Sequence, residues 1–285
     1  MCPEGLSQRP GEGAGMMGMG EPTHRVVADC PEQLSGKLWL IGIGPGAQRQ
    51  MTSAAIAAIR KCDVIVGYRG YVEQIAHLLE GREVVAKELT QEVERARTAV
   101  TLARSGRQVG VVSSGDAGIY GMAGLVFEVL AEENWRPEAG PDVEVVPGIS
   151  ALSSCAALVG APLMHDFVAI SLSDLLTPWE VIRRRLQLAA EGDFVINLYN
   201  PRSERRRTQL EEAVQMLLSY RHPQTPAAVV KNAYREGQRV VLTPLSQLLS
   251  QEVDMLTTLI IGNSQSYTYG GRMITPRGYL KQGGK

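Results

Sequence analysis

The chain has 285 residues, of which 44% are hydrophobic and 21% charged, and its formal net charge is −1. This length and composition predict sizeable hydrophobic cores, arranged as two ordinary domains or one large one. The near-zero charge lacks the basic bias that is typical of proteins that bind nucleic acids or membrane surfaces. We therefore expect no nucleic-acid partner and no membrane partner.

The four cysteines lie far apart in the sequence and form no C-x-x-C pair; they are Cys2, Cys30, Cys62 and Cys155. This spacing predicts neither a disulfide framework nor a zinc site. We therefore expect no bound metal and free thiols, as is usual in a reducing cytoplasm.

The ends of the chain and its apolar stretches give no signal for export or membrane insertion. Residues 1–35 lack a basic segment followed by an apolar segment, so we interpret them as a disordered extension rather than a secretory signal. The longest uncharged stretch, residues 145–164, is interrupted by prolines and glycines that are typical of a soluble domain. These features predict a cytoplasmic protein.

Strand and helix patterns alternate through residues 36–164, which we interpret as an N-terminal α/β domain. Short apolar runs predict strands over residues 38–41, 63–67, 83–86, 109–113 and 143–146. Helical periodicity predicts helices over residues 52–61, 72–79, 92–104, 123–133 and 151–159. This alternation predicts a mainly parallel sheet with helices on both faces.

Residues 165–285 are interpreted as a second α/β domain, with more strands per helix and a mixed sheet. The predicted strands cover residues 167–172, 193–199, 226–231, 239–243 and 257–262. The predicted helices cover residues 178–190, 205–220 and 245–251. Two runs of arginine, residues 183–185 and 205–207, fall on these helices and are interpreted as solvated helix faces.

Three predicted strands of the first half end in loops that contain glycine: residues 42–47, 113–121 and 147–151. Ligands of parallel sheets bind at the carboxyl ends of the strands, so we expect the three loops to lie where a binding site would be. Asp116 and Ser150 in these loops are typical helix or turn caps as well as candidate ligand contacts. Each loop alone therefore leaves a purely structural role open, and the three together favour a ligand site.

The first loop formally matches the dinucleotide fingerprint G-x-G-x-x-G/A. However, the next strand ends in Val66-Gly67-Tyr68, without the acidic residue that would hold a ribose. Pro45 also lacks the N–H that a pyrophosphate-binding loop should supply. A nicotinamide-dependent oxidoreductase is therefore the less favoured alternative.

The same loops carry three motifs: Gly-Ile-Gly-Pro-Gly at residues 42–46, Gly-Asp followed by Tyr at residues 115–120, and Val-Pro-Gly-Ile-Ser-Ala at residues 146–151. In these motifs and in their order, the chain resembles the tetrapyrrole (corrin/porphyrin) methyltransferases of cobalamin and sirohaem synthesis. Further stretches, among them residues 171–179, 197–203, 235–237 and 275–279, resemble the precorrin-3B C(17)-methyltransferases, and the likeness extends from about residue 37 to residue 280.

The resemblance implies the tetrapyrrole methylase fold, in which two α/β domains enclose a cleft that binds S-adenosylmethionine. It also implies methylation of carbon 17 of precorrin-3B, or of its cobalt-bearing analogue factor III, with contraction of the ring. Family members are commonly dimers, so we expect a homodimer. The implied cofactor contacts are Gly44, Pro45, Gly46, Gly115, Asp116, Ile119, Tyr120, Ser150, Ala151, Tyr199, Asn200, Asn232, Ala233 and Thr258.

The chemistry of such a reaction suggests further candidate residues. Methyl transfer from a sulfonium to an electron-rich carbon requires position and desolvation more than a nucleophilic side chain. Ring contraction should need a proton donor or acceptor, and the catalytic candidates are Asp116, Tyr120 and Asp174. His165 and Asp166 are further candidates, although a linker or surface role is favoured for His165.

The substrate carries many carboxylates, which planar guanidinium groups bind well. Arg69, Arg202 and Arg277 lie in motif-like segments and are the candidate substrate contacts. Two residues depart from the subfamily pattern, since Ala117 replaces a usual Pro and Tyr234 a usual Gly. Another tetrapyrrole methylase that acts at a different carbon is the close alternative, and a non-catalytic binding module is a further one if Tyr234 obstructs the cofactor.

Overall fold

The first half of the chain folds around a five-stranded sheet in which every strand is parallel to its neighbours. The computed structural model describes residues 36–203 and 205–280, so the extension expected over residues 1–35 lies outside the described residues. The strands are β1 Lys37–Gly42, β2 Val64–Tyr68, β3 Glu83–Lys87, β4 Gln108–Ser113 and β5 Asp142–Val146. Across the sheet they follow the order β3-β2-β4-β1-β5, which places β1 between β4 and β5.

Helices cover both faces of this sheet, as the alternation in the sequence predicts. On one face, Ala99 and Val126 of two helices pack against Leu40. On the other face, Ile59 packs against Ile41. Because both faces are covered, the inner strands β1, β2 and β4 are nearly continuous apolar runs. The helices are α1 Ser53–Lys61, α2 Arg69–Gln74, α3 Glu92–Arg104 and α4 Ala123–Glu132, with a 3-10 turn at Gln48–Gln50.

The prediction of a single helix over residues 72–79 is wrong. α2 ends at Gln74, and a separate 3-10 turn covers Ala76–Leu78. The break is at Ile75, whose side chain is buried while its backbone has φ −112° and ψ 12°. Arg82 holds this region by donating to the carbonyls of Leu78 and Ile59. Such capping depends on a residue outside the helix and leaves no periodic signal in the sequence.

The second half contains the mixed five-stranded sheet that the sequence predicts. Its elements are β7 Phe167–Ser171, α6 Trp179–Glu191, β8 Val195–Tyr199, α7 Gln209–Leu218, β9 Pro226–Lys231, β10 Arg239–Pro244 and β11 Thr257–Ile261. β7 and β8 are parallel, and the remaining neighbours are antiparallel, in the order β10-β9-β11-β8-β7. The two helices and a 3-10 segment at Leu245–Ser250 bury one face, where Leu186 and Leu217 pack against Leu198.

Helix α5, Ala151–Val159, follows β5 of the first sheet but packs on the second sheet. Its Cys155 and Val159 are buried against Ala228 and Ile260. A small third sheet, which the sequence does not predict, joins β6 Gly160–Ala161 to the hairpin β12 Tyr267–Tyr269 and β13 Arg272–Ile274. The chain thus crosses between the halves through a helix that belongs to the core of the second.

The prediction of a helix over residues 205–220 places its start too early, because α7 begins at Gln209. The preceding residues form a turn in which the Ser203 N–H donates to the Arg206 carbonyl at 3.1 Å. Arg206 is buried rather than solvated, and its Nη2 donates to the carbonyl of Asn200 at 2.8 Å. The solvated-face interpretation is therefore wrong for Arg206, whereas the run at residues 183–185 on α6 is exposed as expected.

Within the described residues, no helix has both the length and the apolar character needed to span a bilayer. The same residues hold no group of three or more His, Cys, Asp and Glu side chains that could bind a metal ion.

Two of the four cysteines fall in the described part of the chain, and both are free and buried. Burial raises the pKa of the Cys62 thiol to about 12 and that of Cys155 to about 11. Because the thiolate is the reactive form, neither should be alkylated by iodoacetamide at pH 8 in the folded protein. Peptide mass mapping checks this, with the urea-unfolded protein as the control in which both should react. Labelling of Cys155 in the folded protein would contradict its burial.

Candidate active site

The loops that follow β1 and β4 join through their backbones at the carboxyl edge of the first sheet. The Gly44 N–H donates to the Gly115 carbonyl at 3.0 Å, and the Gly115 N–H donates back at 2.7 Å. Both glycines have positive φ, +74° and +70°, a region that residues with a Cβ rarely adopt. The structure therefore brings together the first two glycine loops.

Asp116 connects the second loop to the third. Its Oδ1 accepts from the Gly118 N–H at 2.8 Å, and its Oδ2 accepts from the Gly148 N–H at 2.9 Å. Both carboxylate oxygens thus bind backbone, which gives Asp116 a positioning role for the loops. Its assignment as a catalytic or cofactor-binding residue stays a prediction.

The three loops also pack backbone against backbone. A Cβ at Gly148 would lie 2.1 Å from the Gly115 carbonyl oxygen, and one at Gly42 would lie 2.7 Å from the same oxygen. Neither position can hold a larger side chain without movement of the chain. These close approaches form a cradle of main chain, defined here as residues 42–47, 113–121 and 147–150.

The first loop does not lead into a helix in the manner of a dinucleotide site. A 3-10 turn, Gln48–Gln50, separates Gly46 from α1, which begins at Ser53 with Thr52 as its cap. A pyrophosphate site of that kind requires a helix N-terminus directly after the glycines. The geometry therefore counts against the nicotinamide alternative.

The start of α5 binds the second half through Tyr199. The Tyr199 hydroxyl accepts from the Leu152 N–H at 2.7 Å, while the Ser150 hydroxyl accepts from the Ser153 N–H at 3.2 Å. Burial raises the pKa of Tyr199 to about 12, so its phenol is neutral at physiological pH. These two hydroxyls satisfy two of the N–H groups of the first turn that a bound anion would otherwise use.

Tyr120 reaches from the second loop to the second half. Its hydroxyl donates to the Ala169 carbonyl at 3.2 Å, and its ring centroid lies 4.9 Å from that of Tyr199. Burial raises the pKa of Tyr120 as well. Ile119 beside it is 40% exposed and available to a ligand.

Four residues with side chains have left-handed backbone conformations around this region: Tyr120, Asn200, Asn232 and Tyr234, with φ between 50° and 58°. Each such residue costs on the order of 1 kcal/mol and persists only where the surroundings impose it. The backbone conformation of Asn200 is stabilised by Ser171, whose hydroxyl accepts a hydrogen bond from Asn200 Nδ2 at 3.0 Å. Strain concentrated in this way is typical of ligand sites.

The remaining predicted contacts of the second half lie on or beside β9 and β11. Thr258 on β11 is buried next to the Cys155 thiol. Ala233 packs against the hydrophobic cluster that includes Cys155 and Val159 of α5. Tyr234 donates its N–H to the Gln238 side chain at 2.8 Å. Ala117 of the second loop is fully buried, so the small side chain there fills space in the first core.

The predicted substrate arginines lie apart and differ in their partners. Arg69 at the start of α2 forms an exposed ion pair with Glu88 at 3.1 Å. Arg202 pairs with Glu211 on α7. Arg277 is exposed and makes no hydrogen bond or ion pair with the described part of the chain. Their role in binding a substrate stays a prediction.

Asp174 lies in the loop after β7, where its Oδ2 accepts from Gln209 at 2.7 Å. Its Oδ1 lies 4.0 Å from Nη1 of Arg206, the same guanidinium that donates to the Asn200 carbonyl. His165 and Asp166 lie between β6 and β7, where the Asp166 N–H donates to His165 Nδ1 at 2.9 Å. Asp174 is therefore connected to the left-handed Asn200, whereas the other two contact each other.

Arg235 is a residue of this region for which the sequence predicts no role. It lies in the turn between β9 and β10, yet its side chain reaches the loops of the first half. Nη2 donates to the Ser114 hydroxyl at 2.6 Å, and Nε donates to the Pro45 carbonyl. Its position in the motif-like segment 235–237 could have marked it as a candidate, but nothing in the neighbouring sequence indicates Pro45 and Ser114 as its partners.

The family model described as "Tetrapyrrole (Corrin/Porphyrin) Methylases" matches residues 37–249. The chain belongs to this family. The match includes the three glycine loops, strand β8 with Tyr199, and Asn200 directly after that strand.

Several curated relatives cover most of the chain. It is 52% identical over 249 residues to "Cobalt-factor III methyltransferase" of Priestia megaterium, covering 87% of this chain but 46% of that longer protein. It is 46% identical to "Probable cobalt-factor III C(17)-methyltransferase" of Salmonella typhimurium, covering 85% of this chain and 99% of the relative. It is 40% identical to "Precorrin-3B C(17)-methyltransferase" of Sinorhizobium sp, covering 82% and 91%.

Solved structures agree with the fold. The crystal structure of the methyltransferase CobJ superposes with a TM-score of 0.80 at 37% identity, covering 85% of this chain and 100% of that one. A uroporphyrin-III C-methyltransferase of Thermus thermophilus, solved in complex with S-adenosylhomocysteine, superposes with a TM-score of 0.62 at 24% identity, covering 80% of this chain and 92% of that one. The α/β tetrapyrrole methylase fold expected from the sequence is confirmed.

Proposed function

We propose that the protein is an S-adenosylmethionine-dependent C-methyltransferase of cobalamin biosynthesis. It methylates ring carbon 17 of precorrin-3B or of cobalt-factor III, and the macrocycle contracts. The observation that carries the proposal is the union of the three glycine loops into one cradle that is tied to the second half through Tyr199 and Tyr120. The names of relatives that span nearly all of their own length support the same reaction.

The cradle fits the cofactor in two respects. Gly115 has a positive φ, and an added Cβ there would lie 3.6 Å from its nearest contact, the Ala151 nitrogen, so a ligand has room beside this main chain. The left-handed Tyr120, Asn200 and Asn232 converge from both halves on the same region, as strained residues do at binding sites. The residues that would hold it are Gly44, Pro45, Gly46, Gly115, Asp116, Ile119, Tyr120, Ser150, Ala151, Tyr199, Asn200, Asn232, Ala233 and Thr258.

When bound, S-adenosylmethionine supplies the methyl group, and the protein supplies position and a dry cleft. The substrate carbon is already electron-rich, so no nucleophilic side chain is needed. Tyr120 is the favoured proton donor for ring contraction, because partial desolvation raises the pKa of its phenol, which stays protonated at neutral pH. Asp174 is an alternative acceptor, and Arg69, Arg202 and Arg277 would bind the carboxylates of the macrocycle.

Calorimetric titration with S-adenosylhomocysteine, and with NAD in a parallel run, tests the cofactor. We expect one-to-one binding of the homocysteine compound and no heat from NAD. The reverse result would favour an oxidoreductase, and absence of both would favour a binding module in which Tyr234 obstructs the cleft.

The substrate is tested by incubation with methyl-labelled S-adenosylmethionine and either precorrin-3B or cobalt-factor III. We expect label at carbon 17 of one of the two and a contracted ring, both read by NMR. Label at another carbon would instead indicate a different methylase of the same pathway.

The organisation of the molecule is proposed on the same basis. We place the boundary between the two α/β domains at residues 164 and 165, with α5 as the connecting helix that also packs on the second sheet. A cytoplasmic homodimer is proposed from the resemblance to the family. Sedimentation of the purified protein at micromolar concentration tests the dimer, and a monomer would contradict it.

A further inference from the structure

Arg235 is a half-buried cation that faces neutral partners only. Burial lowers the pKa of its guanidinium, which nevertheless remains charged because arginine is not deprotonated in proteins. Two of its nitrogens donate to Pro45 and Ser114, and no carboxylate of the described residues forms an ion pair with it. Charges in such places are usually paired, so this one lacks its counter-ion.

The placement of Arg235 ties together both halves. The turn that carries it is closed by its own N–H, which donates to the Asn232 carbonyl at 2.9 Å. Its side chain lies against Gly46, where an added Cβ would be 2.5 Å from the Arg235 Cγ. A larger residue at position 46 would clash with the Arg235 side chain, which lies directly over Gly46.

One end of the guanidinium remains available. Nη1 of Arg235 makes no hydrogen bond within the described chain, and it is not among the buried side-chain atoms that lack a partner. It is therefore open to solvent at the cradle. A carboxylate there would gain a charge-assisted hydrogen bond to a guanidinium already held in place by its other donors.

We propose that Arg235 clamps the first and second glycine loops and binds a carboxylate of a bound ligand through Nη1. This rests on the proposed function, because both ligands of that reaction carry carboxylates. The amino-acid end of the cofactor offers one, and the tetrapyrrole offers several. The chemistry recognised is the same in either case.

The experiment compares the whole protein with Arg235→Met, Arg235→Lys and the matched control Arg239→Met. Arg239 is four positions along the same hairpin, half-exposed and paired with Glu252. Each protein is titrated with S-adenosylhomocysteine and with its decarboxylated analogue, and the KM for the tetrapyrrole is measured. Hydrogen exchange of peptides covering residues 42–51 and 113–121 reports the clamp without any ligand.

If the carboxylate belongs to the cofactor, Arg235→Met should weaken homocysteine-compound binding about ten- to hundredfold and leave the analogue unchanged. If it belongs to the tetrapyrrole, the KM should rise by a similar factor while cofactor affinity is kept. Arg235→Lys should rescue part of either effect, because it keeps the charge but not the fork. In both cases exchange in the two loops should rise in Arg235→Met and not in Arg239→Met.

The carboxylate assignment would be overturned if Arg235→Met kept three quantities within twofold of the wild type: its affinity for S-adenosylhomocysteine, its preference for that compound over the decarboxylated analogue, and its KM for the tetrapyrrole. Unchanged exchange in the loops would overturn the clamp. A wild type that binds no S-adenosylhomocysteine would refute the proposed function instead, and the exchange measurement would still decide the clamp.

Discussion

Replacing Gly148 by alanine is expected to destabilise the protein by about 3 kcal/mol and to abolish cofactor binding. The new Cβ would lie 2.1 Å from the Gly115 carbonyl oxygen and 2.6 Å from the backbone of Gly42. These are main-chain atoms of neighbouring loops, so relief requires the loops to separate. Denaturant unfolding measures the stability, and titration with S-adenosylhomocysteine measures the loss of binding.

Gly124→Ala is the matched control for this prediction. Gly124 lies in the exposed first turn of α4, and a Cβ there would meet nothing within 4 Å. Because alanine is the better helix former, this change should stabilise the protein by about 0.5 to 1 kcal/mol and leave binding unchanged. Similar effects of the two substitutions would mean that the contact of the loops at Gly148 is not close.

Asp116→Ala should weaken binding of S-adenosylhomocysteine by about a hundredfold and lower the free energy of unfolding by about 2 kcal/mol. The reason is that the N–H groups of Gly118 and Gly148 lose their acceptor. Asp116→Asn keeps one oxygen and should show a smaller loss. Calorimetry and denaturant unfolding measure the two quantities.

Asp142→Ala is the control, because the exposed Asp142 lies at the opposite edge of the sheet and pairs at 2.8 Å with Lys37, which Glu144 also binds. It should change neither quantity appreciably. An Asp116→Asn protein that binds the cofactor like the wild type but has no turnover would contradict the positioning role. It would indicate that the carboxylate transfers a proton instead.

Most of the fold could be predicted because its signals are local. The apolar runs of the inner strands β1, β2 and β4 are buried on both faces, so their composition distinguishes them from the helices between them. The bounds of α3 and α5 agree with the predicted ranges, since Ser150 and the charged face of α3 are typical helix signals. The glycine loops were recognisable because main-chain contact excludes every other residue type.

The third sheet and the start of α7 could not be predicted in the same way. β6 has two residues and pairs with β13, which is more than a hundred positions away, and so it has no periodicity of its own. Arg206 belongs to a basic run that resembles a solvated helix face. Its guanidinium is buried and donates to the Asn200 carbonyl, a contact that no local sequence pattern indicates.

The sequence by itself therefore determined the alternation of strands and helices, the glycine loops and the membership of the family. Each of these depends on neighbouring residues or on short motifs. Only the tertiary structure decided that α5 packs on the second sheet, that Asp116 binds the backbone of two loops, and that Arg235 reaches Pro45 and Ser114. Those contacts join residues far apart in the chain, and a side chain's partner at such a distance is set by how the two halves pack.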